Sequence, residues 1–317
     1  MTGAAEPIEL RVDEGSADHG RGFWGDAWVR LRRNPAAIVG GLIVLMLVII
    51  SIIGPYVIPW DYRVQDLDSV VANNGQPLPP LSPTHLLGTD RLGRDLLSRT
   101  IDGTQVSMSV ALASQLVVIL IGLPIGALAG WFGGRTDTLL MRFTDVFYAF
   151  PEILFIIIVT TAFISTPVGK ILNGLLLVML AISLSAWVTM ARLMRAQVLS
   201  LRNREFVEAA RAMGVSDFRI LTRHVLPNAI GPIVVAVSLG IPAAILAEST
   251  LSFLGIGIQM PRASWGSLID DGTEIMARAP WVVIPPVVAL VVTVIGFTLL
   301  GDAARDAFEP RSSSRRK

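Results

Sequence analysis

Long apolar runs alternate with short polar segments along this chain. A hydrocarbon core about 30 Å thick needs about 20 apolar residues in helix. Six segments reach that length: residues 36–58, 107–132, 139–164, 172–191, 228–247 and 281–301. The pattern predicts an all-α integral membrane protein with six transmembrane helices. The first run starts at residue 36 and no small-residue cleavage pattern follows it, so it reads as a span and not as a secretory leader. Residues 1–20 are polar and acidic and are expected to be disordered. Over 21–35, Phe23, Trp24, Ala27, Trp28 and Leu31 recur at helical spacing opposite Arg21, Asp26, Arg30 and Arg32. That is an amphipathic helix in the membrane interface, or an ordinary juxtamembrane anchor. The six-span domain then occupies 36–308, and 309–317 form a polar tail.

Composition agrees with the pattern. The chain has 317 residues, is 52% hydrophobic, and has a mean hydropathy of +0.62, too apolar for a soluble domain. It has no cysteine, which removes disulfides and thiolate metal sites, and its three histidines (His19, His85 and His224) are far apart in sequence. Lysine and arginine total 26, of which only Lys170 and Lys317 are lysines, leaving 24 arginines. Their placement sets an orientation. With the N-terminus inside, the inner segments carry Arg30, Arg32, Arg33, Arg135, Arg142, seven arginines between 192 and 223, and the basic tail. The long outer loop offsets its positive charges with Asp61, Asp66, Asp68, Asp90, Asp95 and Asp102. Both termini are therefore expected in the cytoplasm.

The most informative polar stretch is EAARAMGVSDFRILTRHVLP, from Glu208 to Pro227. Phe206, Ala209, Ala210 and Met213 fall at i, i+3, i+4 and i+7, one apolar stripe on a helix whose other faces carry Glu205, Glu208 and Arg211. Gly214 is placed to end that helix, Ser216 to cap the next one, and Leu226-Pro227 to open the following span. The region 205–227 is then either a docking surface for a soluble partner or a solvated loop packed on its own bundle.

Charges within the apolar segments are the other candidates. Asp145 and Glu152 flank Pro151 in the third segment, where the proline is expected to kink the helix. Asp145 reads as paired with Arg142 or snorkelled. Glu152 lines a polar path or packs between chains. Ser183, Ser185 and Thr189 line the same path or join helices. Glu248, at the outer end of the fifth segment, lines an exit or marks the water interface.

Three motifs resemble a known family. Glu208-Ala209-Ala210, three residues, Gly214, nine residues and then x-x-Leu226-Pro227 resembles the EAA loop of ABC-importer permeases. The generic pattern has isoleucine where His224 stands, whereas Arg223 to Asn228 (RHVLPN) resembles the peptide-permease branch. Leu87 to Asp95 (LGTDRLGRD), with Gly88, Thr89, Asp90, Gly93, Arg94 and Asp95, resembles the outer segment of the C-type subunit of dipeptide, oligopeptide and nickel importers. Ser252, Phe253 and Gly255, with Ser264, Trp265 and Gly266, resemble that subunit's loop between its last two spans. WVRLRRNP (Trp28 to Pro35) fits the same group. The resemblance covers roughly residues 23–308.

The resemblance implies a type I importer permease fold whose EAA loop is a coupling helix seated on an ATPase. It implies a B-type permease completing a heterodimer, one or two ABC ATPase subunits, and an extracytoplasmic substrate-binding protein, in the bacterial cytoplasmic membrane with its lipid. Dipeptides, longer peptides, nickel chelates and glycopeptide or haem-like cargoes all fit its motifs. No cofactor, metal or nucleic acid is expected on this chain, with ATP and Mg held by the ATPases. The residues agree: a Walker A loop needs G-x-x-x-x-G-K-[ST], but Lys170 is followed by Ile171 and position 164 is isoleucine. A membrane-embedded hydrolase lacks convergent catalytic groups. An ion-driven transporter would show repeat symmetry and broken midplane helices.

Overall fold

The structure, a computed structural model, describes residues 23–308. The expected tails over 1–20 and 309–317, with Arg21 and the side chains of Phe23, Trp24 and Asp26, lie outside the described residues. α1 (Phe23–Arg33) ends at Asn34, whose side-chain oxygen accepts from the Ala36 N–H at 2.9 Å and caps α2 (Pro35–Val57). Pro35 starts α2 where no donor is needed. A short α3 (Leu67–Ala72) lies in the long loop that follows.

α4 (Leu96–Phe132) has 37 residues, about 55 Å at 1.5 Å per residue, so it projects well beyond a hydrocarbon core. It starts at Leu96, earlier than the 107 expected from hydropathy. Arg99, Asp102 and Gln105 lower the apolar signal of its first turns, yet those turns are helical and capped by Asp95, whose Oδ2 accepts from the Ser98 N–H at 2.7 Å.

The expected single span over 139–164 is two helices, α5 (Gly134–Tyr148) and α6 (Glu152–Phe163), bent by 79° at their break. Pro151 has no N–H and disfavours helical backbone at Phe150. α5 is also held along its length: Arg195 donates to Asp137 at 2.5 and 2.6 Å, and Arg192 to Asp145 at 2.6 Å. Asp145 is therefore paired across helices with Arg192, not with its neighbour Arg142.

α7 (Pro167–Lys170) leads into α8 (Leu175–Leu201), which continues ten residues past the expected end at 191. α9 (Glu205–Ala212) forms the polar loop. α10 (Asp217–Ile220), a π-helical turn (Leu221–Val225) and α11 (Leu226–Phe253) then follow without a break. α12 (Trp265–Thr273) lies in the loop between α11 and α13 (Ile284–Phe308), the last described helix. Five helical stretches among the described residues are each long and apolar enough to cross a membrane. The α5–α6 pair makes a sixth when counted as one.

The axis of the bundle is the close pairing of α4 with α8. Gly122, Gly126 and Gly130 recur every four residues on one face of α4. A Cβ at these positions would come within 2.7, 2.2 and 2.8 Å of the carbonyl oxygens of Trp187, Ala191 and Arg195. Only glycine lets the two backbones approach this closely, the small-residue packing that replaces a hydrophobic driving force in lipid. One apolar core, including Ile156, Val178, Ile182, Ile245 and Trp265, fills the half of the bundle nearer α12. A second, including Trp131, Met194, Val198, Ile220 and Val225, lies under α9.

Candidate functional site

α9 is a short, sharply terminated helix. The Gly214 N–H donates to Arg211 O at 2.9 Å and the Val215 N–H to Ala210 O at 3.1 Å, with Gly214 at φ +78°. These two bonds form a Schellman stop, and the left-handed residue costs glycine nothing. Ser216 precedes α10 in extended conformation but makes no side-chain capping bond. The expected apolar stripe divides between two faces. Ala210 is buried with Val207 against Trp131, Val198 and Val225, so it faces the bundle, not a partner. Phe206, Ala209 and Met213 are exposed, as are Glu205 and Glu208. Phe218, 71% exposed, extends this surface from α10 and carried no stripe signal in sequence because it lies beyond the Gly214 turn. Leu226 is half-buried against the same core, and Pro227 is exposed. Arg202 ties the end of α8 to the end of α4 by donating to Gly130 O at 3.2 Å and Trp131 O at 3.3 Å. Arg211 stacks over the Trp131 ring with its guanidinium carbon 5.1 Å from the centroid.

The four path candidates separate. Glu152, in the first turn of α6, is exposed and lines a groove of ≈ 200 Å³ between α4, α6, α8 and α11, with Thr189 and Gln115. Ser183 is buried; its hydroxyl donates to Met179 O at 2.7 Å in its own helix and reaches Ser114 O of α4 at 3.3 Å, so it joins helices and is outside the groove lining. Ser185 is half-buried and outside the groove lining. Glu248 neither lines an opening nor meets water. It is fully buried, accepting from Ser107 Oγ and Ser252 Oγ at 2.7 Å each and from Ser249 Oγ at 3.4 Å. Its carboxyl bridges α4 and α11 beneath the loop that carries α12.

The outer motifs converge on one another. Gly88 has φ +79°, and a Cβ there would lie 2.2 Å from Leu78 O, so the turn is built for glycine. Thr89 Oγ1 accepts from the Leu78 N–H at 2.9 Å. Asp90 is buried; its Oδ2 accepts from Arg94 Nε at 2.7 Å and from Arg99, and its Oδ1 from the Arg94 N–H at 2.9 Å. Asp271 of α12 approaches the same guanidiniums, 3.6 Å from Arg94 and 3.4 Å from Arg99. Burial pushes the Asp90 carboxyl up, but the Arg99 and Arg94 charges outweigh it and hold it below the usual carboxylate range. His85 is buried between Asp95 (Nδ1 to Oδ1, 2.9 Å) and Asp66 (Nε2 to Oδ2, 3.3 Å). Asp102 Oδ2 accepts from the Ala263 N–H at 2.9 Å, and Trp265 is fully buried. A Cβ on Gly266 would meet Ser249 O at 2.1 Å. Ser252 is buried, Phe253 is 42% exposed, and Gly255 closes the fifth span at φ +74°. Sequence reading missed Asp271, whose partners lie 172 residues and more away.

Comparison with known proteins agrees with this layout. Residues 122–314 match the family described as binding-protein-dependent transport system inner membrane component. Residues 22–80 match the N-terminal TM domain of oligopeptide transport permease C. The chain is 39% identical to the oligopeptide transport system permease protein OppC of Haemophilus influenzae over 306 residues, covering 96% of this chain and 94% of that one. It is 40% identical to the dipeptide transport system permease protein DppC of Bacillus subtilis over 287 residues, covering 90% and 85%. A glutathione transport system permease protein, GsiD of Pectobacterium atrosepticum, is 38% identical over 92% of each chain. Among solved structures, a chain of the inward-facing MetNI methionine ABC transporter superimposes with a TM-score of 0.54 at 19% identity, covering 67% of this chain and 97% of that one. That likeness concerns the fold alone. The chain belongs to the binding-protein-dependent ABC-importer permeases, in the C-type branch of their oligopeptide group.

Proposed function

We propose that this chain is one half of the membrane path of an ATP-driven importer of short peptides. A B-type permease supplies the other half, ABC ATPase subunits dock on α9, and a binding protein delivers cargo to the outer face. The supporting observation is the division of α9: Val207 and Ala210 anchor it to the ends of α4, α8 and α11, while Phe206, Met213 and Phe218 stand in the open. A rigid knob so anchored passes an ATPase movement to three spans at once, and a rigid-body rearrangement of those spans switches access from outside to inside. Names of relatives across 36–40% identity include oligopeptide and dipeptide transport, which supports peptide cargo. Both termini lie in the cytoplasm on this reading. The arginine distribution supports it, as does the contact that joins α1 to the end of α13, Arg30 to Ala307 O at 3.5 Å.

The test is purification of the tagged chain in mild detergent, with mass spectrometry and ATP turnover. A second permease and ATP-binding subunits are expected. Replacing Glu208 by arginine and Gly214 by asparagine, which keeps the left-handed backbone while adding bulk, should abolish transport-coupled turnover without loss of the chain from the membrane. Recovery without any nucleotide-binding partner would point to a transporter driven by ion gradients.

A further inference from the structure

Glu152 shares its groove with two other polar side chains from different helices. Gln115 of α4 is only 6% exposed, and its amide makes no hydrogen bond within the described residues, so its open side is the groove itself. Thr189 of α8 is exposed, and its hydroxyl makes no hydrogen bond among the described residues. Among the described residues Glu152 has no ion pair. Its place at the start of α6 suits a carboxylate, because helix N-termini carry partial positive charge. That explains why an acid is tolerated there, but not why it opens beside a buried amide without a partner. The rest of the lining is apolar, with small residues such as Ala236, Gly240 and Ala243 beside larger ones such as Ile182, Met190 and Leu193. Neither arginine, lysine nor histidine is among the lining residues.

The groove therefore offers one negative charge, one donor-and-acceptor amide and one hydroxyl on an otherwise apolar floor. We infer that it is a subsite for the α-ammonium end of a passing peptide. This rests on the peptide-import reading above and goes beyond it. Glu152 supplies the countercharge that every free peptide's N-terminus needs away from bulk water. Gln115 and Thr189 hydrogen-bond the first peptide unit, whose N–H and C=O match an amide's acceptor and donor. The apolar floor holds no second charge, so the charge that the subsite reads is the one common to all free peptides. The sealed carboxyl of Glu248 has no such role, since its hydroxyl partners leave it no opening.

The experiment uses the complete complex, with both permeases, ATPases and binding protein, reconstituted in vesicles. Uptake of trialanine and of N-acetyl-trialanine is measured at saturating binding protein, whose own selectivity is then common to all variants. Glu152→Gln should lower trialanine uptake about tenfold, the loss of one charge-assisted hydrogen bond. Glu152→Asp should retain most of it, and the preference for the free peptide should narrow in Glu152→Gln. Where the wild type admits no acetylated probe, the Glu152→Asp rescue alone decides. Wild-type trialanine uptake in Glu152→Gln would remove the subsite and leave the importer reading intact. Loss of the second permease from the purified variant would mean that Glu152 packs between chains instead. Should Glu152→Gln not reach the membrane, Thr189→Val decides: a severalfold lower trialanine uptake with the complex intact supports the subsite, and unchanged uptake overturns it. A wild-type complex that imports no trialanine would overturn the peptide reading itself.

Discussion

Asp90 sits between two arginines and is almost closed to solvent, its charge tied to Arg94 and Arg99. Asp90→Asn would leave those guanidiniums buried with Asp271 as their remaining carboxylate. Removing one partner of a buried pair costs about 3–5 kcal/mol, so a lower melting temperature of the purified complex and new protease cuts between 59 and 106 are expected. Folding depresses this carboxyl's pKa. Its stabilisation is thus complete above the ordinary carboxylate pKa and is lost as pH falls through the lower folded value. Protease resistance of the outer loop should drop in that acid window in the wild type, and the Asn variant should lack this step. The residues of this motif were legible in sequence as a family pattern. Their meaning as an ion network was not, because Asp271 comes from a helix far along the chain.

α9 shows how a helical stripe can mislead. Ala209 and Ala210 are adjacent in sequence and both small, but one faces outward and the other is 3% exposed against the bundle core. Ala210→Leu should overpack that core at a cost of about 1–3 kcal/mol, read as a lower thermal midpoint. Ala209→Leu should leave the midpoint unchanged and reduce ATPase recovery on purification. Equal midpoints for the two variants would contradict the assignment of faces. The α5–α6 break was only partly legible. Pro151 marks its place, but a proline within a span predicts a modest kink, whereas the 79° bend also needs Arg192 and Arg195 of α8 to hold the polar face of α5. The glycine repeat of α4 was visible as residues and silent as packing until α8 lay against it.

For the molecule as a whole, orientation is directly measurable, because the chain has no native cysteine. Cysteine at Asp68, exposed in the outer loop, should react with a membrane-impermeant maleimide on intact spheroplasts. Cysteine at Ser216, exposed between α9 and α10, should react only after permeabilisation. The reverse pattern would invert the topology. The chain's apolar windows and arginine placement determined by themselves that it crosses the membrane about six times and where its arginine-rich polar loop falls. Both depend on local composition summed over about 20 residues, through the free energy of leaving water. Tertiary structure alone decided that Glu152 opens into a groove while Glu248 is sealed by serines. It also decided that the third span breaks and that Ala210 turns inward. Those outcomes depend on which distant side chains arrive to satisfy a buried charge or fill a contact, and neither hydropathy nor helical period carries that information.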